Sequence, residues 1–260
     1  QVPGVAWREE LVEGAPGHGE GHNSGQAVNI TAALAVKDIM QREGLEGTIV
    51  LWPGVAEELV ATKAWFARDG RFDGVDAVLF THVSDNMSVS WGRPRGTGLV
   101  SVEYTFEGVA AHGAGDPWKG RSALDAVELM NVAWNYRREH LHPLQRSHYV
   151  IVDGGDQPNV VPQTATIWFF LRETDYEGVM DMYGALRNMA QGAALMTGTE
   201  VDTIMTVGAA YGRHFSKPVA EVTYDNIQRV GLPDWSEDDI RFAEAFQREM
   251  GVDVEGLADS

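Results

Sequence analysis

The 260-residue chain has no cysteine, so disulfide bonds, thiolate nucleophiles and zinc sites built on sulfur are excluded. Basic residues are also few: 20 Lys and Arg stand against 38 Asp and Glu, for a formal net charge of -18. Nucleic acids and anionic membranes both need a basic face, so this charge argues against either as a partner. No run approaches the ~20 apolar residues that span a bilayer, and residues 1–10 do not resemble a signal peptide. The expected location is therefore the cytoplasm.

The residues that are present predict a packed domain of the α/β class. Apolar residues make up 44% of the chain and aromatic residues 9%, which is enough for a globular core. Thr48–Trp52 and Ala77–Thr81 are short, continuously apolar runs, and a helical pattern at 59–69 separates them. Strand, helix and strand of this kind are typical of a parallel sheet. A further helix is predicted over 27–43, ending at Gly44.

A different pattern, in which polar and apolar residues alternate, begins near Gly98. The first strand carries apolar residues on one face: Val100, Val102, Tyr104 and Phe106. The following elements give the order β-α-β-β-α-β, which is the ferredoxin-like unit. The predicted strands are 99–108, 147–152, 164–172 and 200–207, and the predicted helices are 122–140 and 175–196. Two more helices, at 219–230 and 236–250, follow them.

This change of pattern divides the chain into three segments. Residues 1–95 are expected to form the first part of an α/β catalytic domain. Residues 96–207 are expected to form an inserted α+β domain, and residues 208–260 to return to the first domain.

Two glutamates and a histidine lie directly after the two apolar runs, where open α/β sheets bind ligands. Glu57 and Glu58 follow the first run and a Pro-Gly turn, and His82 follows the second. Adjacent glutamates are more often a solvated helix face, and a histidine at a strand end is as often a satisfied edge residue. A hydrolytic metal site, however, needs one carboxylate on the metal and another that accepts a proton from water. Neighbouring residues can divide those roles.

A glycine-rich loop at 13–25 holds a second group, His18, Glu20 and His22. Alternate residues of an extended stretch point the same way, so these side chains are expected to face one point. Imidazole and carboxylate both suit zinc. So short a motif is, however, more often a surface loop with solvated histidines. Together with the two glutamates and His82, the loop supplies ligands for two divalent metals without cysteine.

Three residues of the inserted domain are also candidates. His112 follows a strand among small residues, Asn159 lies between two prolines, and Arg172 ends a strand. Each has a structural alternative, namely a turn histidine, a turn asparagine and an exposed arginine.

Several motifs occur in an order that resembles a known family: Gly17-His-Gly-Glu-Gly-His-Asn23, Ala56-Glu-Glu58, His82, Gly108-Val-Ala-Ala-His112, Arg121-Ser-Ala-Leu-Asp-Ala-Val127, Pro158-Asn-Val-Val-Pro162 and Ala193-Ala-Leu-Met-Thr-Gly-Thr199. They resemble the amidohydrolase branch of the aminoacylase/carboxypeptidase (dinuclear zinc) metallopeptidase family, and within it the aminobenzoyl-glutamate hydrolase group. The resemblance runs from about Leu11 to Phe246. It implies a zinc-peptidase-like α/β catalytic domain with an inserted ferredoxin-like lid that also forms the dimer.

The resemblance also implies roles for the candidate residues. The implied ligands of two divalent ions, zinc or manganese, are Glu20, His22, Glu58 and His82. Glu57 would be the general base for the attacking water, and His112 would reach the partner subunit's site and stabilise the oxyanion. Asn159 and Arg172 would hold the carboxylate end of the substrate. The branch usually has cysteine at the position of Glu20, and a carboxylate there favours a harder ion such as manganese.

The expected function is hydrolysis of the amide bond of N-acyl amino acids or aminobenzoyl-glutamate-like substrates. The alternatives are a dipeptidase or aminopeptidase of the same fold, and a non-catalytic dimerisation or binding relative. Relatives place N-terminal strands and a further histidine ligand outside the span of this chain. The chain is therefore expected to bind metal weakly and to hydrolyse little. Its expected partners are a small amide or dipeptide and, through the lid, a second copy of itself.

Overall fold

The computed structural model describes residues 6, 9–15, 20–54, 57–59, 62–84, 87–92, 96–211 and 214–257. The contacts within the chain define two units. The first comprises residues 1–53, 75–92 and 216–260, and the second comprises residues 54–74 and 93–215. The domain limits predicted at 95/96 and 207/208 remain predictions. In the described part of the chain, no helix combines the length and the apolar character needed to cross a bilayer.

The elements follow one another in the order α1, α2, β1, α3, β2, β3, α4, β4, α5, α6. The helices are α1 (His22–Glu43), α2 (Thr62–Arg68), α3 (Ala123–Arg138), α4 (Tyr176–Thr197), α5 (Lys217–Val230) and α6 (Glu237–Met250). The strands are β1 (Gly98–Glu107), β2 (Arg146–Asp153), β3 (Thr164–Glu173) and β4 (Glu200–Ala210).

The four strands form one antiparallel sheet in the second unit, in the spatial order β2-β3-β1-β4. Helix α3 connects β1 to β2, and α4 connects β3 to β4. The predicted ferredoxin-like order is therefore confirmed. We call these four strands, α3, α4 and their connecting loops the lid.

The lid has its core between one face of the sheet and helices α3 and α4. Alternate residues of the two central strands are fully buried there: Val102, Tyr104, Phe106, Ala165, Ile167, Phe169 and Leu171. Trp134 of α3 lies edge-on to Phe169 and donates its indole N–H to Ser147 Oγ at 2.8 Å. This hydrogen bond joins α3 to the edge strand β2. The alternation of apolar and polar residues in the sequence therefore corresponds to the buried and outer faces of the sheet.

Local signals define where the lid helices begin and end. The side chains of Ser122 and Asp175 accept backbone N–H groups at the first turns of α3 and α4, because those N–H groups have no partner within the helix. Helix α4 ends at Gly198, whose φ of 67° is a left-handed conformation that suits glycine. The predicted ends, at 122–140 and 175–196, lie within two residues of these.

The first unit contains helices α1, α5 and α6. Helix α1 ends at Gly44 as predicted, but it begins at His22 rather than at residue 27. Helix α6 begins at the predicted position with a capping box, in which Ser236 and Asp239 exchange hydrogen bonds.

The two strands predicted for the first unit are not formed. Thr48–Trp52 and Ala77–Thr81 have no place in the sheet, and Leu79 is 74% exposed. An apolar run becomes a strand only when a neighbouring strand satisfies its backbone N–H and C=O groups. None of the described residues of this unit offers that pairing. The chain has the predicted mixture of helix and sheet, and within its described residues the sheet belongs to the lid.

Candidate metal centre and lid residues

Glu20, His22 and His82 meet in the first unit. One carboxylate oxygen of Glu20 lies 2.8 Å from Nε2 of His82, and the other lies 2.8 Å from Nε2 of His22. The two imidazole rings stand edge to face with their centroids 5.3 Å apart. Potential ligand atoms of all three residues lie within 4.8 Å of one another. The side chains are partly exposed, so the cluster is accessible from solvent.

A turn at Gly21, rather than an extended stretch, produces this arrangement. Gly21 has a φ of 88° and precedes the first residue of α1. That left-handed conformation strains any residue with a Cβ. A Cβ at this position would also lie 2.9 Å from Val83 Cγ1, so the glycine permits the close approach of the segment that carries His82. Glu20 and His22 do converge, but the alternation predicted for them is wrong. His18 lies outside the described residues.

The hydrogen bonds of His82 fit a metal ligand. Its Nδ1 lies 2.8 Å from the backbone carbonyl oxygen of Val83. Since a carbonyl only accepts, this contact places the proton of a neutral ring on Nδ1 and leaves a lone pair on Nε2. A lone pair that faces a Glu20 carboxylate oxygen is repulsive unless a cation or a proton lies between them. Two imidazoles and a carboxylate are also a donor set that zinc and manganese accept, so these residues fit a divalent ion.

Glu57 and Glu58 lie in a short 3₁₀ turn, Glu57–Leu59, in the second unit. The Glu57 side chain is half-buried, whereas that of Glu58 is exposed. The turn follows Gly54, where an added Cβ would lie 3.5 Å from the Glu57 side chain. The proposed roles of these glutamates, as general base and as metal ligand, remain predictions.

His112 and Asn159 lie on adjacent loops at one end of the lid sheet. His112 forms an isolated antiparallel bridge with Val160, and the Gly113 N–H donates to the Asn159 carbonyl at 2.7 Å. A Cβ at Gly113 would lie 3.0 Å from that carbonyl oxygen. Glycine at this position therefore allows the two loops to approach, and it brings the two candidate side chains to one end of the lid.

The backbone fixes the imidazole of His112. Its Nδ1 accepts the N–H groups of Ala114 at 3.2 Å and Gly115 at 2.9 Å. Because Nδ1 is the acceptor, the neutral ring carries its proton on Nε2, which remains as the donor for a ligand. A cavity of about 340 Å³ adjoins this loop and is lined by residues that include Gly113, Ser122, Asp125 and Val160.

Arg172 is not brought together with His112 and Asn159 within one lid. It lies near the end of β3, whereas Asn159 precedes the start of that strand. Thr164 and Arg172 are ~26 Å apart along the strand at ~3.3 Å per residue. One lid therefore cannot place Asn159 and Arg172 on the same small substrate.

The backbone groups that orient the two histidines were not identified from the sequence. They are the carbonyl of Val83 and the N–H groups of Ala114 and Gly115. The one signal in the sequence was the run of small residues after His112, because such residues let the backbone approach a side chain closely. No comparable signal marks Val83.

The chain is similar to known hydrolases over most of its length. The Peptidase dimerisation domain family matches residues 97–193. One of the subunits of the p-aminobenzoyl-glutamate hydrolase of Escherichia coli (strain K12) is 33% identical over 248 residues, covering 95% of this chain and 51% of that protein. The chain belongs to the amidohydrolase branch of the aminoacylase/carboxypeptidase metallopeptidase family.

Other proteins that are similar to this chain are also about twice as long. The Xaa-Arg dipeptidase of Mus musculus is 26% identical, covering 86% of this chain and 52% of that protein. Among solved structures, the Aminobenzoyl-glutamate utilization protein from Klebsiella pneumoniae shares 23% identity at a TM-score of 0.46, covering 64% of this chain and 43% of that one. The chain spans about half the length of the curated relatives it matches.

Proposed function

We propose that the chain acts as a metal-dependent amidohydrolase on an N-acyl amino acid or an aminobenzoyl-glutamate-like amide in the cytoplasm. The observation that carries the proposal is the Glu20 carboxylate, whose two oxygens each lie 2.8 Å from a different histidine. A carboxylate oriented in this way would hold divalent metal together with the two imidazoles. Two ions of zinc or manganese, with Glu58 as a further ligand, belong to the same proposal.

The proposed chemistry divides between the centre and the lid. Divalent ions, when bound, would acidify a water molecule and polarise the amide carbonyl. Glu57 takes the proton of the attacking water and returns it to the departing amine. The oxyanion of the tetrahedral adduct is stabilised by the Nε2–H of His112, which is the ring donor left by the backbone bonds at Nδ1. Asn159 and Arg172 hold the carboxylate end of the substrate.

The distance between Asn159 and Arg172 favours a dimer in which each site uses two lids. Arg172 from one lid and the His112–Asn159 end of another can then act on one substrate. The edge strand β2 offers a surface for such pairing, since Val150, Ile151 and Val152 are 55, 46 and 55% exposed. An exposed apolar edge strand is a ready template for a second strand. We therefore place the homodimer contact at β2.

The metal centre is tested by metal content. The purified chain is loaded with Zn²⁺ or Mn²⁺ and desalted, and bound metal is measured by elemental analysis. Glu20→Ala should weaken binding at least about tenfold, since it removes the carboxylate shared by both imidazoles. Glu58→Ala tests the ligand in the second unit. Glu43→Ala, in the exposed last turn of α1, is the matched control and should leave binding unchanged. Equal metal content in all four proteins would overturn the assignment.

The activity is tested by release of the amine product with a chelator and with added Mn²⁺. Metal-dependent release that Glu57→Ala abolishes, with metal content intact, supports the amidase. The second candidate, a dipeptidase, rests on the similarity to the Xaa-Arg dipeptidase. Faster cleavage of a dipeptide with a free amine than of its N-acyl form would favour it. Absence of release under every condition would instead support the non-catalytic relative.

The dimer is tested by molar mass in solution from light scattering. Val150→Lys places like charges near each other if two β2 strands pair, so it should shift the mass from dimer to monomer. Met205→Lys, at a position 48% exposed on the opposite edge strand β4, is the control and should leave the dimer intact. A dimer that resists the first substitution and dissociates with the second would move the interface to β4.

A further inference from the structure

The lid sheet has a second face, opposite α3 and α4, which we call the outer face. At the first residues of β1 it is covered, because Leu99 and Ser101 are buried. Towards β2 it is accessible, because Arg146 is exposed and Phe170 and Arg172 are half-buried. The outer face therefore presents a partly open surface along β2 and β3 that the protein core does not use.

Two arginines lie directly opposite each other on this surface. Arg146 of β2 pairs with Arg172 of β3 in the ladder. Directly opposed residues have Cβ atoms about 5 Å apart, and like charges at that position destabilise a sheet. Within the described part of the chain, neither guanidinium has a carboxylate in salt-bridge range, although the chain carries a net charge of -18. A local arrangement that costs stability and lacks a compensating contact is expected at a functional site.

Both arginine side chains have neighbours that hold them in place. The Nη1 N–H groups of Arg146 donate to the carbonyl oxygen of Gln145 at 2.8 Å and to that of Pro143. Its other N–H groups remain for a ligand. The Arg172 guanidinium lies 5.6 Å from the ring centroid of Phe170, within the range of a cation–π contact. Two held guanidinium groups lose less freedom on binding than two mobile ones would.

An aromatic wall adjoins the arginine pair. Phe170 and Trp168 follow Arg172 on the same face of β3, with ring centroids 5.2 Å apart and an interplanar angle of 83°. The Trp168 indole N–H donates to Ser101 Oγ at 2.8 Å, which fixes that ring. Glu103 lies opposite Trp168 in the β1 ladder. The surface is thus basic at one end and acidic farther along, and this polarity orients an anion towards the arginines.

We propose that Arg146 and Arg172, with Phe170 and Trp168 beside them, form a binding site for a dicarboxylate joined to an aromatic group. Arg172 takes one carboxylate and Arg146 takes the second, and the ring of the ligand packs on the aromatic wall. This inference rests on the proposed function, because the ligand, an acidic amino acid with an N-aroyl group, is a substrate of the proposed hydrolysis. It assigns to Arg146 the selection of acidic over neutral amino acids.

Binding can be measured without turnover, which separates this inference from the proposed function. The full chain is kept in chelator and titrated by saturation-transfer NMR with N-benzoyl-glutamate, N-benzoyl-glutamine and N-acetyl-glutamate. The first probe has two carboxylates and a ring, the second lacks one carboxylate, and the third lacks the ring. N-benzoyl-glutamate should bind about tenfold more tightly than either of the others, because each loses one charge-assisted or stacking contact.

Two substitutions assign the carboxylates. Arg146→Gln should weaken N-benzoyl-glutamate about tenfold and leave N-benzoyl-glutamine unchanged, whereas Arg172→Gln should weaken both. Arg138→Gln is the matched control, because Arg138 is also an exposed arginine beside a ring, 5.6 Å from that of Tyr149, but belongs to α3. It should change neither affinity. Arg146→Gln should also raise the melting temperature slightly by removing the like-charge pair, which shows that the variant is folded.

The outcomes separate clearly. Equal binding of the glutamate and glutamine probes by the unaltered chain would overturn the dicarboxylate site. If Arg146→Gln weakened the binding of both probes equally, Arg146 would act only through general electrostatic attraction. That result would also overturn the dicarboxylate site. Selective binding in chelator together with no hydrolysis in metal would support the site and count against the amidase.

Discussion

The lid and the first unit differ in how much apolar surface they bury. Among the described residues, the largest fully buried side chains all lie in the lid, and Trp134, Tyr104 and Phe106 are the first of them by volume. In the first unit, α1 and α6 contain no buried residue and α5 contains only Ala220. Apolar burial is the dominant favourable term in folding. The lid is therefore stabilised by its own core, whereas the helices of the first unit depend more on local backbone signals.

Trp134→Ala should test this contrast with the largest effect. It removes a fully buried indole together with its 2.8 Å hydrogen bond to Ser147, so it should lower the free energy of unfolding of the lid by about 3–5 kcal/mol. Ile39→Ala in α1 is the comparison, because Ile39 is 43% exposed, and it should cost less than about 1 kcal/mol. Urea unfolding followed by circular dichroism measures both. Equal losses would contradict the contrast.

The sequence predicted the lid well because short-range residue patterns specify its strands and the ends of its helices. Val102, Tyr104 and Phe106 alternate with polar residues, and a sheet with one buried face requires that period. Ser122 and Gly198 mark helix ends through their own side chain or lack of one. The first unit was harder, since a continuous apolar run such as Ala77–Thr81 specifies burial and not the partner that would pair with it.

The candidate centre was predictable in composition but not in geometry. The residue types at 20, 22 and 82 indicated metal chemistry, and the structure brings those three side chains together. The turn that does so depends on the positive φ of Gly21 and on its contact with Val83. Neither can be read from residue types alone, because one is a backbone angle and the other joins segments distant in sequence. The separation of Asn159 from Arg172 likewise follows from strand length and not from a motif.

Tyr104→Phe should sharpen the contrast by stabilising the lid. The Tyr104 hydroxyl is buried, and no described residue makes a hydrogen bond to it. Its removal should raise the free energy of unfolding by about 1 kcal/mol. Tyr149→Phe is the control, because the Tyr149 hydroxyl accepts the Asn135 side-chain N–H at 3.3 Å, and that variant should lose stability or stay unchanged. Destabilisation by Tyr104→Phe would show that the hydroxyl has a partner.

Burial also raises the pKa of the Tyr104 phenol above its usual value. A folded-state pKa above the unfolded one means that the phenol favours folding at lower pH and that this stability is lost as pH rises above ~10. The stability difference between the unaltered chain and Tyr104→Phe should therefore widen in favour of the variant above that pH. Parallel stability curves would place the phenol in contact with water.

Loss of the capping box should have the smallest effect on stability. The pH dependence of this effect should differ between the first unit and the lid. The Ser236 hydroxyl and N–H donate to the Asp239 carboxylate and lower the pKa of that group. A depressed pKa means that the contribution to stability is present above the unfolded pKa and is lost as pH falls through the folded one. Because α6 has no buried residue, its helical signal in circular dichroism should fall with Ser236→Ala at every pH, since the substitution removes the acceptor of the Asp239 N–H. The fall should be larger at neutral pH than in acid below the carboxyl pKa, where the bonds to the Asp239 carboxylate are already lost. Ser122→Ala in α3 also removes an N-cap, but the buried residues of that helix should hold its helical signal at both pH values. A fall in the helical signal of similar size for both variants would mean that local caps, and not burial, set the stability of helices in the lid as well.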